Sequence, residues 1–176
     1  MKKYIFILLM MCLLISSSSC SYISYKDYYT NPDDYQKIWS LTGFSYDFDG
    51  VSGIFPDTID GLNVESFFCR YDQQLPLGEG VQLVLQINYD EGSYEREVDR
   101  IELLSYECDD FFSETELLFY AKRLCENGVS EYVAFDAQNL SIYYIYLQYI
   151  PKDEIEFEHR LLPDDYSGYG ELDRNK

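Results

Sequence analysis

The sequence predicts an α+β fold, one antiparallel sheet of about four to six strands with one or two helices packed on it. Three stretches carry that expectation. Residues 81–88 alternate, with Val81, Leu83, Leu85 and Ile87 on one side and Gln82, Gln86 and Asn88 on the other, the period of a half-buried strand. "SIYYIYLQYI", residues 141–150, is apolar on both faces, which suits a central strand covered on both sides. Residues 93–105 place Tyr94, Val98, Ile101 and Leu104 or Ser105 on one stripe among Glu95, Arg96, Glu97, Asp99 and Arg100. That is an amphipathic helix, expected against the sheet face bearing Leu83 and Leu85.

The remaining elements follow in chain order. Asn31-Pro32 reads as N-cap and first helical residue, with Tyr35, Ile38, Trp39 and Thr42 at helical spacing and Gly43 as the stop. The only Trp of the chain sits there, so this helix is expected to dock on the main body. Residues 44–60 read as loop, with a short strand at 53–55. Residues 64–71 alternate, with Phe67, Cys69 and Tyr71 on one face, and residues 73–80 read as a turn. Residues 131–136 and 140–150 are strands joined by a turn at 137–139. The stretch "SETELLFYAKRLCENG", residues 113–128, supports two readings. Ser113 with Glu116 is a capping box and Gly128 a helix stop, which favours a helix. Asn127-Gly128 is also the strongest short hairpin signal, which makes the same stretch a strand.

The N-terminus is a leader. Lys2 and Lys3 precede twelve apolar residues, 4–15, and then Ser16, Ser17, Ser18, Ser19 and Cys20. Charge, short apolar core and small residues are the layout of a secretory signal peptide. Twelve residues rise about 18 Å as a helix, short of a hydrocarbon core of about 30 Å. The leader resembles a bacterial lipoprotein signal, in which the cysteine becomes the first mature residue and carries the acyl groups. That resemblance implies lipidation of Cys20 and a place on the extracytoplasmic face of the cell membrane. Ser18 and Ser19 fit the small-residue rule; Ser17 stands where Leu is usual. The competing reading is an ordinary signal-peptidase cut after Ser19. The expected organisation is a signal peptide at 1–19, a lipidated Cys20 with a flexible Tyr-rich tether to residue 30, one domain over 31–166, and a disordered tail over 167–176.

Removal of residues 1–19 takes two lysines and no acid, leaving 11 basic and 32 acidic side chains and a formal charge of −21. Such a charge excludes nucleic acid and repels anionic surfaces. Cations, basic proteins, neutral glycans and peptides remain as partners. The abundance of Tyr and Phe, 19 and 11 residues, separates the chain from disordered acidic sequences. Beyond Cys20 the mature cysteines are Cys69, Cys108 and Cys125, an odd number without a Cys-x-x-Cys pair. An exported chain forms one disulfide among them in an oxidising compartment, and an anaerobic host leaves all three reduced.

The order of "NPDDYQKIWSLTGF", "IFPDTI", "YEREVDRIELL", "EYVAFDAQNLSIYYIYLQY" and "LLPDDY" resembles a group of small Gram-positive-type bacterial lipoproteins with no assigned activity. The resemblance covers most of residues 31–166. It implies an extended conformation for residues 117–125, although Lys122 and Arg123 depart from the group's aromatic-alanine pattern. It implies no mechanism.

Each piece of candidate chemistry has a plainer structural reading. "SYDFDG", residues 45–50, sets Asp47, Asp49 and Gly50 at positions three, five and six of a calcium loop, but Ser45 holds position one and Pro56 position twelve. Asp109 and Asp110, with Glu107 and Glu114, form an acidic run able to hold a hard cation, or simply a solvated loop. His159 is the only His, so a hydrolytic triad would have to be built on it; among its charged neighbours it reads as a surface residue. No pair among the acids is singled out for glycoside hydrolysis. Tyr144 and Tyr146 share one face of the last strand, and Tyr143 and Tyr149 the other. Exposed together they make a platform for sugar rings or a protein; buried, they are core. The function expected is a lipid-anchored, non-enzymatic envelope binding module that needs no cofactor, its protein or glycan partner unidentified. The alternatives are a small secreted or cell-surface hydrolase and a calcium-binding surface protein. A transporter's solute-binding protein resembles chains about twice this length.

Overall fold

The computed structural model describes residues 23–39, 53–75, 78–108, 115–126, 128–164 and 166. Seven strands form one antiparallel sheet: β1 (Ile23–Tyr29), β2 (Asn63–Leu75), β3 (Gly78–Asn88), β4 (Tyr106–Glu107), β5 (Leu118–Glu126), β6 (Val129–Asp136) and β7 (Ser141–Gln148). Their order across the sheet is β1-β2-β3-β7-β6-β5-β4. Two short helices accompany it, α1 (Tyr35–Ile38), entered from a 3₁₀ turn at Pro32–Asp34, and α2 (Glu91–Glu102). The α+β class holds, and the strand count exceeds the four to six expected. The difference comes from β1, β4 and β5.

β1 corrects the flexible tether. All seven of its residues pair with β2, from Ile23 opposite Leu75 to Tyr29 opposite Cys69. Tyr29 packs against the core, so the Tyr-rich segment satisfies the outer edge of β2 rather than trailing in solvent. β2 and β3 also run further than the turn expected at 73–80 allows, their pairing continuing to Gln74 opposite Gly78. Residues 53–55 form a turn rather than a strand, although Ile54 and Phe55 are buried.

The ambiguous stretch is a strand over Leu118–Glu126, paired with β6 and β4. The hairpin signal prevails because Phe119 and Ala121 are buried in the back layer of the core, an area that a surface helix would not bury. Gly128 has φ +77°, the left-handed conformation that the turn requires.

The sheet is covered on both faces. On the front, Phe67, Cys69, Leu83, Leu85, Tyr144 and Tyr146 meet Tyr35 and Ile38 of α1, Ile54 and Phe55, and Tyr94 and Ile101 of α2. Helix α2 therefore lies on the face bearing Leu83 and Leu85, as its stripe predicts. It is capped by Asp90, whose Oδ1 accepts from Ser93 N at 2.9 Å. Trp39 docks edge-on to Phe55 with ring centroids 5.3 Å apart. On the back, Val84, Tyr132, Tyr143, Ile145 and Leu147 are covered by a C-terminal strap through Ile150, Ile155, Leu161, Leu162 and Tyr166. Leu161, Leu162 and Tyr166, at the end of the expected domain, are thus part of the core. Every residue of β7 is buried, in agreement with a central strand covered on both sides.

Candidate functional site

The tyrosines of β7 do not form a platform. Tyr143, Tyr144 and Tyr146 are 6%, 0% and 2% exposed. Tyr149 is 44% exposed but lies beyond the strand, at φ +49°. The ring of Tyr149 covers Gly128, where an added Cβ would stand 2.2 Å from its Cε1. The Tyr content has a structural use instead. Rings fill the core while hydroxyls fasten the covering segments. Tyr35 donates to Pro56 O at 2.6 Å, Tyr132 to Leu161 O at 2.5 Å and Tyr166 to Ile150 O at 2.7 Å.

Tyr144 donates to Glu97 Oε1 at 2.6 Å and meets the hydroxyl of Tyr89 at 2.8 Å. Arg100 donates to both oxygens of Glu97, at 2.7 and 2.9 Å, and to the carbonyls of Gly53 and Ile54. Burial, with the Tyr89 hydroxyl and the Glu97 carboxylate nearby, pushes the Tyr144 hydroxyl well above its ordinary pKa. The hydroxyl therefore stays protonated and ties β7 to α2 and the 53–55 turn.

A second polar cluster occupies the back of β2. Arg70, 1% exposed, donates from Nε to Asp72 Oδ1 at 2.8 Å and from Nη1 to Glu156 Oε1 at 2.6 Å. Its Nη2 donates to Asp72 Oδ2 and to Glu154 Oε2, the latter at 2.5 Å. Lys26 on β1 reaches Glu154 at 3.4 Å and Asp72 at 4.0 Å. Gln82, opposite Arg70 in the register, donates to Glu154 O and accepts from Glu156 N. Hydrogen bonds donated to Asp72, then to Glu154 and Glu156, raise the Arg70 pKa, and Arg70 foremost holds the Glu154 carboxyl below its ordinary value. The cluster clamps the strap to the sheet. The guanidinium fills the space between the carboxylates, so this is a structural ion network.

A third buried charge is Glu131, fully covered on the front of β6, with Arg123 Nε at 3.2 Å from Oε2. Burial raises its pKa, against the pull of Lys122 and Arg123. Its Oε1 makes no hydrogen bond.

Among the described residues a cleft of about 530 Å³ lies at one end of the sheet, and a second concavity of about 380 Å³ lies between residues 32–36 and 59–64. The cleft lies between α2, the chain entering β5 and the β6–β7 turn, with Arg160 at its rim. Tyr94, Val98, Leu117 and Phe135 give it apolar walls. Around the mouth, Gln138 donates to Glu116 at 3.2 Å, and Asp136 accepts from Asn139 N and Nδ2 at 3.1 and 2.9 Å. Arg160 donates to Glu158 and, at 3.2 Å, to the Tyr143 hydroxyl. The volume and the mixed lining suit reversible binding of a small amphipathic group.

Of the other residues singled out in the sequence, Cys20, Asp47, Asp49, Asp109 and Asp110 lie outside the described residues, as do the leader and residues 167–176. Among the described residues, no group of three or more His, Cys, Asp or Glu is placed to hold a metal ion. His159 is exposed, as expected. Cys69 and Cys108 are buried on opposite faces of the sheet. Burial pushes the Cys69 thiol up to about 12. The clamp, the Glu97 network and the cleft were missed in the sequence. Arg70-x-Asp72 within an alternating strand, with both side chains on the face opposite Cys69, was the available signal for the clamp.

No protein-family model matches the chain, and no curated protein or solved structure matches it significantly.

Proposed function

We propose that the chain is an exported bacterial lipoprotein, anchored through acyl groups on Cys20, whose domain acts as a non-enzymatic binding module with the cleft as its contact site. The leader carries this reading: two lysines, twelve apolar residues and four serines end on Cys20. The fold supports it, because Ile23, three residues after Cys20, is already paired with Leu75 in the sheet. Two acyl chains make such an anchor stable where one is marginal. The tyrosine strand belongs to the core, and the cleft is the larger of the two concavities among the described residues. Its apolar walls, and a mouth carrying Gln138, Asn139, Glu116, Asp136 and Arg160, fit a neutral glycan or a peptide better than a nucleic acid, which the charge of the domain repels.

Fractionation of expressing cells tests the anchor. Wild-type chain is expected in the membrane fraction with the mobility of a cleaved, acylated chain, and Cys20→Ser is expected to keep its leader and shift in mobility. Retention of Cys20→Ser in the membrane with unchanged mobility defeats the proposal. A photo-crosslinking side chain at Ala137, in the cleft, is expected to give a discrete adduct on intact cells. The same group at Glu95, on the outer side of α2, is expected to give none.

A further inference from the structure

The two ends of the sheet differ in their relation to Cys20. β1 starts opposite Leu75, and Gln74 pairs with Gly78. Val81 and Val129 both pair with Gln148. The β2–β3 and β5–β6 connections therefore lie at the end where β1 begins. The cleft lies at the other end, because Leu118 pairs with Phe135, Phe135 with Ile142 and Ile142 with Ile87. From Gly78 to Ile87 the chain climbs nine residue steps, about 30 Å.

From Cys20 to Ile23 there are three Cα steps, which span at most about 11 Å. We infer that the domain stands on the bilayer by the end at which β1 starts and carries its cleft outward, about 30 Å above that contact. This orientation rests on the lipid anchor at Cys20. The occupant of the lower end is the headgroup layer of the membrane, and the cleft takes its ligand from the space beyond the membrane.

The placement of exposed aromatic side chains points the same way. Tyr25, near the start of β1, is 58% exposed and Tyr149, just past the lower end of β7, is 44% exposed, whereas the exposed Tyr28 and Tyr106 lie midway along the sheet, opposite Arg70 and Ala121. Tyr places an apolar ring and a polar tip together, the combination that settles at membrane–water interfaces. Charge favours a small footprint as well. A domain of formal charge −21 lying flat would bring more of its acidic surface against an anionic leaflet than one standing on its end.

The test uses the full lipidated chain in vesicles of phosphatidylcholine brominated close to the headgroup, a short-range quencher of Trp. Tyr25→Trp reports the lower end and Leu118→Trp the mouth of the cleft; emission of Trp39 in the wild type is subtracted. Both positions are exposed, and Tyr149→Trp, also exposed and at the lower end, replaces Tyr25→Trp if circular dichroism shows a folding defect. The added emission at position 25 is expected to be lost in brominated vesicles, and that at position 118 to be unchanged. Equal loss at both positions, loss at 118 alone, or loss at neither while the chain floats with the vesicles overturns the orientation and leaves the anchor standing. Wild type that does not float, or a chain beginning at Ser21 that floats equally well, removes the anchor and the orientation with it. A ten-residue Gly/Ser spacer inserted after Ser21 is expected to restore emission at position 25.

Discussion

Replacing Arg70 with Met removes the guanidinium shared by Asp72, Glu154 and Glu156 while keeping much of the packing of its stem. The side chains of Arg70 and Asp72 are each 2% exposed. After the substitution, the nearest cation to Asp72 is Lys26, with Nζ 4.0 Å away. Removing one member of a buried ion pair costs about 3–5 kcal/mol, because the other charge stays buried and uncompensated. Glu154 and Glu156 are 38% exposed, so each adds no more than a surface pair does, about 0–1 kcal/mol. The expected loss is about 4 kcal/mol, a large part of the roughly 5–15 kcal/mol that holds a domain folded. With a urea slope of about 2 kcal/mol per molar, the midpoint falls by about 2 M. Equilibrium unfolding in urea, followed by circular dichroism and by Trp39 emission, measures it. The double variant Arg70→Met/Asp72→Leu is expected to recover most of the loss, since apolar replacement of a whole buried pair is close to neutral. A shift under about 0.5 M for Arg70→Met, or a double variant weaker than the single, refutes the claim that burial gives the clamp its strength.

Other consequences are open to measurement. Tyr144→Phe leaves Glu97 without one of its donors and is expected to cost about 2 kcal/mol in urea unfolding. Gly128→Ala combines a left-handed φ with the collision against Tyr149. Its cost is expected to exceed about 2 kcal/mol, and Gly128→Ala/Tyr149→Ala should relieve the steric part and leave about 1–2 kcal/mol of backbone strain. Arg70 depresses the folded pKa of Glu154, so that stabilisation is complete above the unfolded carboxylate pKa of about 4.3 and disappears as pH falls through the folded value. Unfolding between pH 6 and pH 3 is therefore expected to be steeper in wild type than in Arg70→Met. Glu131 carries the opposite sign. Its folded pKa is raised by burial, so stability declines as pH climbs from about 4.3 through the folded value, and Glu131→Gln is expected to abolish that decline.

The parts of the fold legible in the sequence are those whose burial is regular. β3 alternates, β7 is apolar throughout, and α2 carries a clear stripe, so each announces its environment. β1 does not, because Tyr25, Lys26, Asp27 and Tyr28 are as compatible with solvent as with an edge strand. Only pairing with β2, more than forty residues away, distinguishes the two. In β5 the capping signal at Ser113 competes with the hairpin signal at Asn127-Gly128, and the burial of Phe119 and Ala121 in the back layer decides for the hairpin with β6. The tyrosines illustrate the same limit. A ring with a hydroxyl suits a binding face and a fastened core equally well, and the choice depends on whether a strap lies above it. The strap is held by Arg70 reaching Glu154 and Glu156 across more than eighty residues. No local pattern encodes that convergence, nor that of α2 with the β6–β7 turn around the cleft.

Intact mass analysis of the N-terminal peptide, from chain purified out of the membrane fraction, tests the central claim most directly. The account predicts a peptide beginning at Cys20 and carrying a diacylglyceryl thioether. A peptide beginning at an unmodified Cys20, or a chain that keeps residues 1–19, contradicts it.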